Sequence, residues 1–372
     1  MRFLPLLLTA TALAQTGPRV QLSHTTEGLR GVSTVSRKIA WASGMHGTYV
    51  RTTDGGLTWT PAQVPDASAL DFRAVVAFSA DEAFLMSAGP GDQSRVYHTS
   101  DAGKHWQLQF TNANPKGFFD SMVFWDAKHG VVLGDPVPDE SGKLKFEVLL
   151  TDDGQNWHTL PPAQLPAAIE GEGAFAASNT CLAILPSTAD SNLWFATGGK
   201  VARVFHSPDR GQTWQVYDTP IAHGPDSQGI FSIAFRDAMH GVIAGGDYKR
   251  PDDDGPNLAF TDDGGKTWTL SPLHPLTYFS AVAYDRTVNE QAIRQQAEET
   301  AGGKNEKLRM KPIAPERLFI IGPDFIFDFR PPNNPRRING KKKLGLHFNA
   351  VSSYPEGGAL VVGPKGAMAF VP

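Results

Sequence analysis

One cysteine in 372 residues, Cys181, excludes an internal disulfide framework. It lies in the apolar stretch TCLAIL with no base beside it, so it reads as a packing residue, not a reactive thiol. An excess of charge of either sign is also missing: 34 Lys and Arg stand against 38 Asp and Glu, a formal net charge of −4. A general electrostatic grip on nucleic acid is thereby excluded, and any charged partner must be recognised locally. Long apolar runs are absent after the N-terminus, so no transmembrane helix is expected. Residues 1–14 read MRFLPLLLTATALA, with Arg2, an apolar run and a small-x-small end at Ala12 to Ala14. That is the pattern of a signal peptide, and it implies an exported protein, periplasmic or extracellular, beginning at Gln15.

What the chain has is repetition. TTDGGLTW ends at Trp59, TSDAGKHW at Trp106, TDDGQNW at Trp157, SPDRGQTW at Trp214 and TDDGGKTW at Trp268. Self-similarity at intervals of roughly 50 residues means stacked supersecondary units. Within a unit, short β-branched or aromatic runs alternate with Gly, Asp and Ser breaks, which is four strands, A to D, joined by tight turns. The box falls in the C to D turn. Its Asp can accept hydrogen bonds from turn amides, its Gly can take positive φ, and its Trp packs between sheets. The structural positions are Asp54, Gly56 and Trp59; Asp101, Gly103 and Trp106; Asp152, Gly154 and Trp157; Asp209, Gly211 and Trp214; and Asp263, Gly265 and Trp268. In the third copy Leu150 stands where the others carry Ser or Thr, which predicts one lost hydrogen bond.

Strand A starts recur more often than boxes do: LRGV at 29, FRAV at 72, FDSM at 119, FAAS at 175, FSIA at 231, FSAV at 279 and FNAV at 348. The mean box spacing also divides the chain beyond the leader into about seven units. The sequence therefore predicts an all-β domain over residues 15–372, a seven-bladed β-propeller of four-stranded antiparallel blades. Residues 19–23 would complete the last blade and close the ring, which removes exposed sheet edges. A short helical insertion is expected in blade six at about 286–316, and Pro331, Pro332 and Pro335 argue against a regular sixth hairpin.

The boxes resemble the Asp-box, or bacterial neuraminidase repeat. The run GVxxV, AWASG, RTTDGGLTW is similar to the photosystem II stability and assembly factor propellers and their non-photosynthetic relatives, and more distantly to the sialidase superfamily. The resemblance covers residues 19–372, clearly in units one to five. It implies a structural role for the boxes and a binding face on the opposite side.

On that face, the B to C loops offer Asp135, Thr197, Asp247 and Tyr248, and the connection into blade four offers Glu170 and Glu172. Asp135, Glu170, Glu172 and Asp247 would converge as a carboxylate cluster able to do acid and base work or bind a cation. At the channel mouth, the second residue of each strand A gives a ring of Arg30, Arg73, Asp120, Ala176, Ser232, Ser280 and Asn349. Arg30 and Arg73 need an acidic partner such as Asp120, or a ligand carboxylate. Arg203 is a further binding candidate, expected on a blade surface. The stretch Arg330, Arg336, Arg337 and Lys341 to Lys343 could face an acidic surface, and Asp252 to Asp254 lack the spacing of a calcium loop. No cofactor and no metal are expected, nor a nucleic-acid partner, and the chain is expected to be monomeric.

Two functions remain open at this point. One is a non-catalytic exported scaffold or assembly factor that binds a protein or peptide, or a glycan. The other is a sialidase-like glycoside hydrolase, for which Glu172, Asp247, Tyr248 and Asp135 would be the catalytic set. The sialidase FRIP motif is replaced here by LRGV at Arg30, which lacks its Ile and Pro.

Overall fold

A computed structural model describes residues 17–185, 191–273, 276–287, 317–323, 325–329, 336–337 and 346–372. They form seven antiparallel sheets arranged as the blades of a closed propeller. The innermost strands run Leu29–Thr34, Asp71–Ala77, Phe119–Phe124, Leu182–Ile184, Gln228–Phe235, Ala281–Tyr284 and Ala350–Ser353. Strand B is buried on both faces because neighbouring blades sandwich it, so Ala83–Ala88 reads as a continuous apolar run without alternation. Strand D faces solvent, and Thr60–Gln63 is mostly exposed.

The ring closes as expected. Arg19–Val20 pairs antiparallel with Met368–Val371, with Arg19 opposite Phe370 and Val20 opposite Ala369. Gln21 extends the seam, its N–H bonding the Met368 carbonyl at 3.0 Å and its Oε1 accepting from Trp59 Nε1 at 3.0 Å.

Each box tryptophan wedges its own blade against the preceding one. Trp59 packs with Leu360, Val362 and Phe370 of blade seven, Trp106 with Trp41 and Tyr49 of blade one, and Trp268 with blade-four residues such as Trp194. Trp157 and Trp214 do the same between blades two and three and between blades three and four. In the first box, Asp54 Oδ1 accepts from the Thr58 N–H at 2.9 Å and the Thr52 hydroxyl at 2.8 Å, while Gly56 sits at φ 80°. Asp101, Asp209 and Asp263 repeat the arrangement with the amides of His105, Thr213 and Thr267.

The third box corrects the sequence reading. The residue in the Asp role is Asp153, not Asp152: its Oδ1 accepts from the N–H groups of Gln155 at 2.8 Å and Asn156 at 2.7 Å. Thr151 supplies the hydroxyl, which accepts from Gly154 N at 3.0 Å, so the turn does not lose that bond. This copy is one residue shorter between Thr and Trp, and the comparison at Leu150 was therefore one position out of phase.

Three further readings change. Strand A of blade four begins near Cys181, not at Phe175, and residues 174–180 leave the blade to cross the channel. In blade six Phe327 and Asp328 pair with Arg337 and Arg336, so a short fourth strand forms despite the prolines. The expected leader at 1–14 and helical insertion at 286–316 lie outside the described residues, apart from 286 and 287. Most of the basic stretch after residue 330 does too. Among the described residues, no helix is long and apolar enough to cross a membrane.

The box carboxylates generate an acid-stability prediction. Hydrogen bonds from the Thr58 side chain and amide hold Asp54 at about 2, and those from His105 hold Asp101 at about 2. Both lie below the value of about 3.9 for a free Asp. Their stabilisation is thus complete above about pH 4 and lost as pH falls towards 2. Asp153→Ala should lower the melting temperature at pH 7, whereas Asp152→Ala should leave it unchanged, as measured by differential scanning calorimetry. Removing residues 17–24 should lower it further, by opening the ring. An unchanged melting temperature in that truncation would contradict closure by the N-terminal strand.

Candidate binding site

Channel-facing side chains are set by a recurring backbone irregularity. In blades one, two, three and five the inner strand carries one extra residue relative to strand B, a β-bulge, at Arg30, Arg73, Asp120 and Phe231. A bulge re-aims its side chain, here out of the sheet and towards the channel. The strand B partner is glycine where the bulge crowds it; a Cβ on Gly245 would collide with the Gly229 carbonyl. Blades six and seven present Ser280 and Asn349 just before their inner strands.

These residues surround a cavity of about 590 Å³ on the loop face. Six of the seven ring positions read from the sequence line it: Arg30, Arg73, Asp120, Ala176, Ser280 and Asn349. Ser232 does not. It is buried between blades, where its hydroxyl accepts from Val282 N at 2.9 Å. The bulge register puts Phe231 in its place, and Ile230 takes the core position beside it.

Ala176 reaches the cavity for a reason that the repeat could not show. Residues 174–180 cross the hub, and residues 174–177 line the cavity. Ala174 N–H donates to Asp135 Oδ1 at 2.9 Å, Arg73 Nη1 donates to the Ala176 carbonyl at 3.1 Å, and Ser178 Oγ donates to the Ser280 carbonyl at 2.9 Å. Asn179 Oδ1 accepts from Met122 N at 2.7 Å. The segment is thus tied to blades two, three and six, on opposite sides of the ring. Phe175 stacks on Phe231 with centroids 3.8 Å apart, and Tyr278 meets Phe231 edge-on at 4.8 Å.

Arg30 and Arg73 do not bond Asp120. They share Asp71, a residue absent from the sequence-derived ring: Arg73 Nε lies 2.9 Å from Asp71 Oδ2, and Arg30 Nε 3.8 Å from the same oxygen. Two guanidiniums on one carboxylate leave an excess of positive charge on this wall. Asp71 directly precedes the FRAV run, and that adjacency was the available signal. Across the cavity, burial, augmented by the Asp135 charge and opposed by Arg73, holds the Asp120 carboxyl well above the usual carboxylate range. Burial raises Asp135 to about 6 against the Ala174 hydrogen bond.

The four-carboxylate cluster is not assembled. Glu172 is buried and engaged by Arg203, with Nε to Oε1 at 2.9 Å and Nη2 to Oε2 at 2.5 Å, and by the Thr197 hydroxyl at 2.7 Å. Arg203 is therefore the internal partner of Glu172, not a surface group. Asp247 pairs with Arg250 Nε at 3.0 Å and accepts from Lys249 N at 2.9 Å. Burial would raise its value, but bonds from Ser227, Arg250 and the Lys249 amide prevail and hold it at about 2. Glu170 is exposed. Of the four, only Asp135 lines the cavity, as does Tyr248, which is 49% exposed and meets Phe231 at 6.1 Å. Cys181 is buried, and burial pushes its thiol up, in keeping with a packing role.

Seven antiparallel blades, six of four strands and a fifth blade that also gains Glu172–Gly173 and Gly198–Gly199, box turns that rivet them and a cavity opposite the boxes define the class: a propeller of the Asp-box, or BNR, type. Its repeat is photosystem II assembly factor-like. Residues 18–117, which hold the closing strand and blades one and two, match the family model described as photosynthesis system II assembly factor YCF48. The chain is 24% identical over 285 residues to the photosystem II assembly protein Ycf48 of Thermosynechococcus vestitus (strain NIES-2133 / IAM M-273 / BP-1), covering 66% of this chain and 72% of the relative. Among solved structures it is similar to YCF48 bound to D1 peptide, with a TM-score of 0.63 and 18% identity over 97% of this chain and 98% of the other. It is also similar to the WD40 β-propeller domain of Doa1, with a TM-score of 0.59 and 10% identity over 96% and 97%. At these identities the structural likeness is one of fold.

The Glu172–Arg203 pair gives a test of the site's frame. Arg203→Met leaves a buried carboxylate without its cation and should cost about 3–5 kcal/mol by urea denaturation. A loss below about 1 kcal/mol would show that the pair is solvated, as ordinary surface pairs are.

Proposed function

We propose that this protein is an exported, non-catalytic scaffold or assembly factor that holds a protein or peptide partner in the loop-face cavity. The observation that carries the reading is the cavity itself: a concave, aromatic-lined site of the size used for ligands, with two arginines sharing one carboxylate. Such a wall suits an acidic or carboxylate-bearing segment, and Phe231, Tyr248 and Tyr278 offer apolar surface beside it. The similarity to a solved propeller with a bound peptide supports a partner of that kind. The leader-like residues 1–14 support export to a periplasm or the medium.

A sialidase-like hydrolase would need its Tyr, an acid/base carboxylate and the substrate-clamping arginines in one place; of the candidate set Glu172, Asp247, Tyr248 and Asp135, only Tyr248 and Asp135 line the cavity. Glu172 and Asp247, which that reading would require, are each paired with an arginine. Peptide binding is accordingly the better-supported function.

The test pairs two measurements. Fluorogenic glycosides should show no saturable turnover with the purified protein. A D1-type peptide immobilised on a sensor should capture the wild type, and Arg30→Glu with Arg73→Glu should lose that capture by at least about tenfold while keeping the native melting transition. Turnover abolished by Glu172→Gln, or capture indifferent to both charge reversals, would overturn the proposal.

A further inference from the structure

Five of the seven seams between blades are filled by a box indole, from Trp59 to Trp268, and no tryptophan follows Trp268 in the chain. Blade six therefore brings none to its seam with blade five. The strand register shows how the box was lost. Thr52, Thr99, Thr151, Ser207 and Thr261 each stand opposite the first residue of strand B, and each hydroxyl accepts the amide of its box glycine. Phe329 holds that position in blade six, opposite Leu318, and has no hydroxyl with which to hold such a turn.

In this seam lies a cavity of about 400 Å³, lined by Phe260, Thr261 and Thr269 of blade five and by Tyr284 and Phe329 of blade six. Register identifies it as the seat of the missing indole. The residue that ends strand A, opposite the same strand B position, is Phe124 in blade three, Phe235 in blade five and Tyr284 in blade six. Phe124 meets Trp157 edge-on with ring centroids 5.7 Å apart, and Phe235 meets Trp268 at 6.2 Å. Tyr284 meets the cavity instead. On the opposite wall Phe260 takes the place of Leu150 in blade three, one residue before the box hydroxyl. Leu150 is covered by the next blade's box: it packs in the cluster of Trp214, and a Cβ on Gly211 would lie 3.8 Å from its Cδ1. Phe260 and Phe329 stand 5.8 Å apart, so both walls of the seat carry aromatic rings. The seam between blades six and seven also lacks an indole, but there Arg317 Cζ lies 4.5 Å over the Phe319 ring while its guanidinium pairs with Asp285 and Asp328.

We propose that the seat between blades five and six takes an indole ring from outside the chain, either the free heterocycle or the tryptophan side chain of a partner. Apolar cavities left by a missing ring bind small aromatic molecules. Edge-on contacts such as those that Phe124 and Phe235 make favour a flat ring over an aliphatic group of similar volume. Thr261 and Phe329 place the seat on the box face, so it is separate from the loop-face cavity and independent of the peptide-binding reading.

The experiment titrates indole, N-acetyl-tryptophan amide and cyclohexanol into the full-length protein by isothermal calorimetry. Indole should bind at one site with a dissociation constant on the order of 1 mM or tighter, and at least about tenfold more tightly than cyclohexanol. Phe260→Trp puts an indole into the seat from blade five; it should abolish the binding and raise the melting temperature, as cavity filling does. Phe260→Ala, at a half-buried position, should weaken binding by at least about tenfold. Binding of N-acetyl-tryptophan amide alongside indole assigns the seat to a partner's side chain, and binding of indole alone assigns it to the free heterocycle. No saturable binding of indole, binding no tighter than that of cyclohexanol, or binding unchanged in Phe260→Trp overturns the proposal. Loss of indole binding in Tyr248→Ala would put the ring in the loop-face cavity and overturn it as well.

Discussion

Main-chain hydrogen bonds between Arg19–Val20 and the last strand, Met368–Val371, are the constraint on which the molecule rests. A blade cannot bury both faces alone, and a row of blades ends in two exposed edges. Joining the first strand to the last turns the row into a ring, so that every blade has two neighbours. The indole of Trp59 shows the dependence directly: it belongs to blade one, packs on blade seven and is hydrogen-bonded by Gln21 of the closing segment. Inner-strand bulges can then be aimed at a common axis, and a shared cavity becomes possible.

Rigidity and recognition are divided between the two faces. On one, Asp carboxylates turned into their own loops satisfy backbone amides and hold the tryptophans in place, with little left to offer a ligand. On the other, the bulges deliver charged and aromatic side chains that the blades do not use. Glu172, Thr197 and Arg203 belong to the first kind of role although they sit on the second face: their mutual bonds hold the segment that leads into residues 174–180.

The architecture was legible because it is written in short local motifs. Trp spacing, turn glycines and strand A starts each depend on neighbours within about ten residues, and repetition averages out local error. The site was harder to see. Arg30, Arg73 and Asp120 could be placed because the repeat carries them, but Ser232 was off by one, since Phe231 looks like a core residue until the bulge register is known. Phe175 followed by small residues imitates a strand A start, and only the pairing of Leu182–Ile184 with Leu193–Ala196 shows where blade four begins. The link from Glu172 to Arg203 spans 31 residues with no periodic signal. In the third box a one-residue deletion moved the Asp role from Asp152 to Asp153, and the spacing from Thr151 to Asp153, the same as from Thr52 to Asp54, was the clue that survived it.

The strap of residues 174–180 ties blades two, three and six to one another across the hub. Residues 174–177 of that strap also line the cavity, so whatever is seated there bears on both sides of the wheel at once.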